Sequence, residues 1–112
     1  MQYALLIYTR PGAIEELSES ERTAMTGEYM AVSALPGCRG GAQLAPIETA
    51  TTVRVNNGST LTTDGPFADT KEVFAGYFVF EADNLDAATQ VASRIPAARQ
   101  GGAVEVRPLV EH

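Results

Sequence analysis

The stretch that organises this sequence is Thr63-Asp64-Gly65-Pro66-Phe67-Ala68-Asp69-Thr70-Lys71-Glu72, which lies between a β-rich region and the apolar run 77–80. Asp64-Gly65 is a turn dipeptide, and Pro66 disfavours the helical conformation for the residue before it. Asp69 and Glu72 have the spacing of a helix N-cap and its reciprocal partner, which predicts a short helical turn. We therefore interpret this stiff, polar loop as a candidate site.

The residues before the loop predict a strand, a helix and a second strand. Residues 3–8 are apolar without alternation, as in a strand buried on both faces. Ser18 and Glu21 have the spacing of a capping box, with Ser20 as an alternative cap, and the following apolar positions predict an amphipathic helix. The glycine-rich residues 37–41 are interpreted as a flexible turn that leads into a short strand over 42–45.

The remaining elements are a hairpin, a strand, a helix and a last strand. Asn57-Gly58 between the β-rich runs 51–55 and 59–63 predicts a tight hairpin, which its threonines place at the edge of the sheet. Residues 76–80 predict another strand, which lacks clean alternation and is therefore expected to be covered on both faces. Asp83 is the expected N-cap of the second helix, with Asp86 at N3, and residues 103–109 predict the last strand.

Without the hairpin, this order is βαββαβ, which predicts an α+β, ferredoxin-like fold in a single domain, 1–112. Helices on one face of such a sheet leave the other face bare. Because residues 3–8 and 77–80 are apolar on both faces, a lone chain would expose a large apolar surface. We therefore expect a homodimer in which the bare sheet faces pack together.

Composition excludes several functional classes. The net charge of −6 argues against nucleic acid and against an anionic membrane surface as partners. The one cysteine, Cys38, cannot form an internal disulfide and fits a reducing compartment. The first residues lack the basic region of a signal peptide, and no run approaches a membrane span. We expect a cytoplasmic protein without a cofactor.

At Asp64-Gly65-Pro66-Phe67 the chain resembles the YCII-related family, in particular its DGPF-motif branch. Further similarity lies in the following segments: 3–8, 50–54, 63–72, 76–77, 94–99 and 104–108. The resemblance implies a ferredoxin-like dimeric α/β barrel and a small cytoplasmic protein, in a family where most members have no assigned activity. It also implies a regulatory role, because many DGPF-type members are associated with extracytoplasmic-function sigma factors.

Some YCII-related proteins are thought to use a His-Asp pair, and one branch eliminates chloride from a chlorinated hydroquinone. The single histidine of this chain is His112, at the end of the sequence. The histidine of such a pair therefore has no internal match here, which argues against the elimination chemistry.

Asp64 is the candidate catalytic residue. It would act as a general base if burial raised its pKa towards neutrality. Alternatively, it caps its own turn through backbone N–H groups, which would lower its pKa and disable it as a base. The candidate ligand-binding residues, for an anionic or phenolic ligand, are Tyr8, Arg10, Phe67, Lys71 and Tyr77.

The other acidic and aromatic residues have simpler interpretations. Asp69 and Glu72 would join Asp64 in a site for a hard metal ion, but the capping role suits Glu72 better, so no metal is expected. Core packing is the simpler interpretation of all four phenylalanines, including the candidate ligand-binding residue Phe67: Phe67, Phe74, Phe78 and Phe80.

Three functions remain open from the sequence. The first is a small-molecule-binding or regulatory module, which needs a pocket of a few hundred Å³. The second is a cofactor-free lyase or isomerase that acts through Asp64. The third is a structural dimer that binds a partner protein through a remaining apolar patch.

Overall fold

The computed structural model describes residues 1–66 and 71–111. The elements follow the predicted order, with two added 3₁₀ turns at Ile47–Thr49 and Pro96–Arg99. They are β1 (Gln2–Thr9), α1 (Glu19–Ser33), β2 (Cys38–Gln43), β3 (Thr51–Asn56), β4 (Ser59–Asp64), β5 (Val73–Glu81), α2 (Leu85–Ala92) and β6 (Ala103–Pro108).

Four strands form one antiparallel sheet in the order β2-β5-β1-β6. This order places β1 and β5, the two most apolar strands, at the centre, where each has a hydrogen-bonded strand on both sides. The two helices complete an α+β fold of the ferredoxin-like type, which confirms the predicted class.

Side chains of β1 alternate between the two faces of the sheet. Tyr3, Leu5 and Ile7 are buried on the face that α1 and α2 cover, whereas Leu6 and Tyr8 on the other face are only half-buried. We call this second face the open face. The core on the helix side is completed by the following buried residues: Val32, Phe80, Ala88, Ala92, Ile95 and Ala97.

The start of α1 follows the sequence prediction. The Ser18 side chain accepts a hydrogen bond from the Glu21 amide at 3.2 Å, and the Ser18 amide donates to the Glu21 carboxylate at 2.9 Å. The Ser20 hydroxyl, the alternative cap, instead lies 3.2 Å from the Ser18 hydroxyl. The capping box therefore belongs to Ser18.

The predicted cap of α2 is wrong by one residue. Asn84, not Asp83, is the N-cap: its side-chain oxygen accepts from the Ala87 amide at 2.9 Å. Asn84 has extended backbone angles, while Leu85 begins the helix, so only a side chain at position 84 reaches the N3 amide. Asp86 accordingly lies at N2 rather than N3.

The glycine-rich residues after α1 form part of β2 rather than a flexible turn. A bulge lies between Cys38 and Gly40, and Gly41 pairs with Phe78. A Cβ atom on Gly41 would collide with the Tyr77 carbonyl oxygen. Glycine is therefore required by the close approach of β5, and not by a need for flexibility.

The hairpin has the predicted turn but not the predicted position. Asn57 and Gly58 have φ values of 50° and 79°, as a two-residue turn with two positive φ angles requires. Its strands pair only with each other and form a separate two-stranded sheet instead of extending the edge of the main sheet. The 3₁₀ turn Ile47–Thr49 redirects the chain between β2 and β3.

Within the described ranges, no helix is long and apolar enough to cross a membrane. Those ranges also contain no group of three or more His, Cys, Asp or Glu side chains placed to hold a metal ion. Asp69 lies outside the described residues, and so do its predicted capping role and its part in the candidate metal site.

Candidate functional site: an open-face cleft

A β-bulge positions two aromatic rings on the open face. Ile7 pairs with Gly76, but Tyr8 pairs with Phe74, so Ala75 is the extra residue on β5. Because side chains alternate along a strand, this extra residue brings Phe74 to the same face as Tyr8. The ring centroids of Tyr8 and Phe74 lie 5.4 Å apart, with a tilt of 37° between the planes.

These two rings border a cleft of about 850 Å³ on the open face, which we call the open-face cleft. It is bounded by the segment between β2 and β3, by the start of the hairpin and by the beginning of β5. The remaining described lining residues are Leu44, Ala45, Pro46, Ile47, Thr49, Ala50, Thr51, Thr52, Val53, Pro66, Glu72 and Val73.

Hydrogen bonds tie the wall of the open-face cleft to the candidate loop. The Gly65 amide donates to the Ala50 carbonyl at 2.7 Å, and the Thr52 hydroxyl donates to the Gly65 carbonyl at 2.8 Å. At the other end, the Leu44 amide donates to the carbonyl of the bulge residue Ala75 at 2.9 Å. The wall therefore has fixed contacts both to the turn at Gly65 and to β5.

The polar groups in the cleft are few. The Tyr8 hydroxyl makes no hydrogen bond within the described ranges, although its ring is held against Phe74. Glu72 is the only charged side chain among the described lining residues, and it has an interaction of its own. An aromatic surface with one carboxylate and with the hydroxyl groups of Tyr8 and of three threonines suits binding by stacking and a few hydrogen bonds.

The candidate catalytic and ligand-binding residues of the loop do not meet in the cleft, which the described part of the loop lines with Pro66 and Glu72. Asp64 ends β4, pairs with Thr51 across the hairpin and is exposed, but it is not a lining residue. Its carboxylate has no hydrogen-bond partner in the part of the chain that the structure describes. Lys71 is also exposed and is not among the described lining residues of the open-face cleft, and Phe67 lies outside the described residues.

Arg10 forms a surface ion pair beyond the end of β1. Its guanidinium donates to the two Glu16 carboxylate oxygens at 2.7 and 3.3 Å. This hydrogen bonding, with the attraction between the charges, raises the pKa of Arg10 and lowers the pKa of Glu16. Arg10 already has a carboxylate partner and does not line the open-face cleft.

Tyr77 is paired with Leu6 and is 36% exposed. This pairing places its side chain on the open face, outside the described lining of the open-face cleft, although the residue also borders a cavity beneath α1. Of the described residues proposed from the sequence to act in catalysis or to bind an organic ligand, only Tyr8 lines the open-face cleft.

Phe74 is the aromatic residue whose role the sequence prediction missed. The assignment to the core holds for Phe80, which is buried, and for Phe78, which packs against the core half-buried. It is wrong for Phe74, which is 39% exposed beside Tyr8. The available signal was Gly76, because a glycine inside an apolar strand often marks a bulge that changes which face the next residues occupy.

The profile of the YCII-related domain family matches residues 1–112. The chain belongs to the YCII-related family. This YCII-related protein is also similar to an uncharacterized protein, R00369, of Rhizobium meliloti (strain 1021). The two are 34% identical over 114 residues, covering 97% of this chain and 92% of the relative.

Proposed function

We propose that this YCII-related protein is a small-molecule-binding module whose ligand lies in the open-face cleft. The observation that carries the proposal is the Tyr8–Phe74 ring contact bordering a cleft of about 850 Å³. Ligand sites are typically concave, mostly apolar and supplied with a few placed polar groups, and this cleft has all three properties.

The charges near the cleft favour a phenolic ligand over an anionic one. Arg10 is bonded to Glu16, Lys71 lies outside the described lining, and the one charged lining residue is the acid Glu72. An anion would therefore lose its hydration without meeting a cation in the described lining. A neutral aromatic ring with a hydroxyl group would stack on Phe74 and share a hydrogen bond with Tyr8.

A second copy of the chain is the proposed cover of the open face. Phe74 and Tyr77 are 39% and 36% exposed there, and Val55 of the hairpin is 68% exposed. The radius of gyration is 15.8 Å, whereas a compact chain of this length has a value of roughly 13 Å. A separate two-stranded hairpin is also marginal in water by itself. Packing two open faces together would cover the exposed residues and narrow the cleft.

The two other functions have less support. Asp64 is exposed outside the cleft lining, so its proposed role as a general base draws no support from the cavity geometry. The regulatory link to sigma-factor systems is a prediction from the family resemblance. A ligand-binding module fits such a role, because a bound ligand can change which conformations or partners are favoured. A purely structural dimer would instead need an apolar patch beyond the open face.

Binding is tested by titrating the protein with 4-ethylphenol and with ethylbenzene, followed by NMR shifts of the Tyr8 and Phe74 rings. We expect 4-ethylphenol to bind more tightly, because only it can hydrogen-bond to the Tyr8 hydroxyl. Tyr8→Phe should remove this preference, and Phe74→Ala should weaken both ligands. Tyr3→Phe is the matched control, because Tyr3 is buried on the helix side of the same strand.

The proposed site would be refuted if neither ligand shifted the Tyr8 and Phe74 signals, or if Tyr3→Phe and Tyr8→Phe behaved alike. Light scattering tests the dimer separately, with about twice the chain mass of 11.9 kDa expected. Tyr77→Glu should yield single chains, while Leu85→Glu, an exposed site on α2, should leave the dimer intact. A single-chain mass for the unmodified protein would contradict the proposed cover.

A further inference from the structure

A second cavity, of about 350 Å³, lies on the helix side of the sheet beneath α1. Met25, Tyr29 and Met30 of α1 line one side of it, and Ile7 and Thr9 of β1 contribute to the other. We call it the sub-helix cavity. Because it is on the helix side, the sheet separates it from the open-face cleft.

The sub-helix cavity follows from the strand pairing and from the position of α1. Its lining includes Gly41 of β2 and Gly76 of β5, and a Cβ atom on either would collide with a carbonyl oxygen of the neighbouring strand. Larger side chains therefore cannot fill the space from these two positions. On α1, Val32 is buried, but Met25 and Tyr29 remain half-buried because they border the cavity.

Polar side chains from three elements border the same space. Thr9 of β1, Thr26 of α1 and Gln43 of β2 line the cavity, and their side chains make no hydrogen bond within residues 1–66 and 71–111. Ser33, by contrast, donates to the Met30 carbonyl at 2.8 Å. The described lining contains no charged residue. Three polar groups on a mostly apolar surface are thus available to an occupant.

We infer that the sub-helix cavity binds a small neutral ring compound that carries a hydroxyl or carbonyl group. A charged ligand would leave water without meeting an opposite charge, whereas a neutral ring would fill the apolar space. The Met25 and Met30 thioethers suit contact with an aromatic ring, and Thr9, Thr26 and Gln43 can bond its polar group. This site is additional to the open-face cleft and does not depend on it.

The test uses 2-naphthol as the neutral probe and 2-naphthoate as its anionic counterpart. The chain has no tryptophan, so the fluorescence of the probe can be followed with little background. We expect 2-naphthol to bind at least about tenfold more tightly than 2-naphthoate. Equal affinities would contradict the inference, because a charge-free lining should discriminate between them.

Matched variants locate the bound probe. Thr26→Phe places a ring at the cavity and should weaken 2-naphthol binding by about tenfold or more, whereas Thr23→Phe, on the same helix but outside the lining, should leave it unchanged. Gln43→Phe places a ring at the same cavity from β2, and it is the second blocking variant if Thr26→Phe does not fold. Unchanged binding in both blocking variants would overturn the inference.

The two proposed sites are distinguished by the Phe74→Ala variant. The Phe74→Ala variant should still bind 2-naphthol in the sub-helix cavity, although it binds ligands of the open-face cleft more weakly. If Phe74→Ala abolished naphthol binding while Thr26→Phe left it intact, the probe would occupy the open-face cleft, and the inference would fail. If 4-ethylphenol did not bind in the open-face cleft, the proposed function would fail, but binding of 2-naphthol in the sub-helix cavity would still be expected.

Discussion

Replacement of Gly65 by alanine should destabilise the protein, whereas the same replacement at Gly27 should stabilise it. Gly65 has a φ of +105°, and Gly27 lies within α1. At neither position would an added Cβ atom have another group within 4 Å. The pair of variants therefore isolates the backbone conformation, because steric clashes are absent from both.

The magnitudes follow from the two conformations. Alanine is more favourable than glycine inside a helix by about 1 kcal/mol, so Gly27→Ala should gain about that amount. At Gly65, a φ of +105° lies beyond the left-handed region near +60° that alanine tolerates best. Holding alanine there costs about 1–3 kcal/mol. The two variants should thus differ in unfolding free energy by about 2–4 kcal/mol.

The assay is urea unfolding with thermal melting at one fixed protein concentration, because a dimer would make the melting temperature depend on concentration. For a domain of this size, about 1 kcal/mol corresponds to roughly 4 °C. Amide exchange at residue 65 gives a local measure, since this amide donates to the Ala50 carbonyl at 2.7 Å. A Gly65→Ala variant as stable as the unmodified protein, with unchanged exchange, would refute the positive φ.

Two further results are expected. Asn84→Ala should cost about 1 kcal/mol in urea unfolding because it removes the acceptor for the Ala87 amide, and Asp83→Ala should cost much less; the reverse order would contradict the cap assignment. Arg10 lowers the pKa of Glu16 below its ordinary value of 4.5, first through a hydrogen bond and second through the attraction between the charges. The ion pair therefore stabilises the fold above about pH 4.5, and this stabilisation is lost as the pH falls below that value. In melting experiments, the Glu16→Gln variant should therefore lose slightly less stability than the unmodified protein when the pH is lowered from about 6 to about 3. The difference should be small because the ion pair is exposed. Identical pH profiles for the two proteins would argue against the pairing in solution.

Features that depend on neighbouring residues in the sequence were predictable. The capping box of Ser18 and Glu21 closes within four residues, and the turn at Asn57-Gly58 needs only two residues that accept positive φ. The order of strands and helices followed from apolar runs and turn residues, which together predicted the ferredoxin-like fold. In each case, the physical cause lies within one segment.

Features that depend on contacts between distant segments were not predictable in the same way. Gly41 resembles a residue of a flexible turn, but its requirement for glycine comes from the Tyr77 carbonyl on another strand. Phe74 resembles a core residue until the bulge at Ala75 turns it towards Tyr8 on the open face. The open-face cleft is formed by segments that lie far apart in the sequence. Tyr8 could therefore be proposed as a candidate from the sequence, but the residues that surround it in the cleft could not.

The central position of β1 has a consequence for how this chain is synthesised. Residues 3–8 pair with residues 103–108 of β6, so about a hundred residues must be synthesised after β1 before this pairing can form. Until then, one edge of β1 has no partner, and contacts this far apart in the sequence form slowly. Completion of the sheet must therefore await the synthesis of β6, and the nascent chain has to keep that edge from pairing with other chains in the meantime.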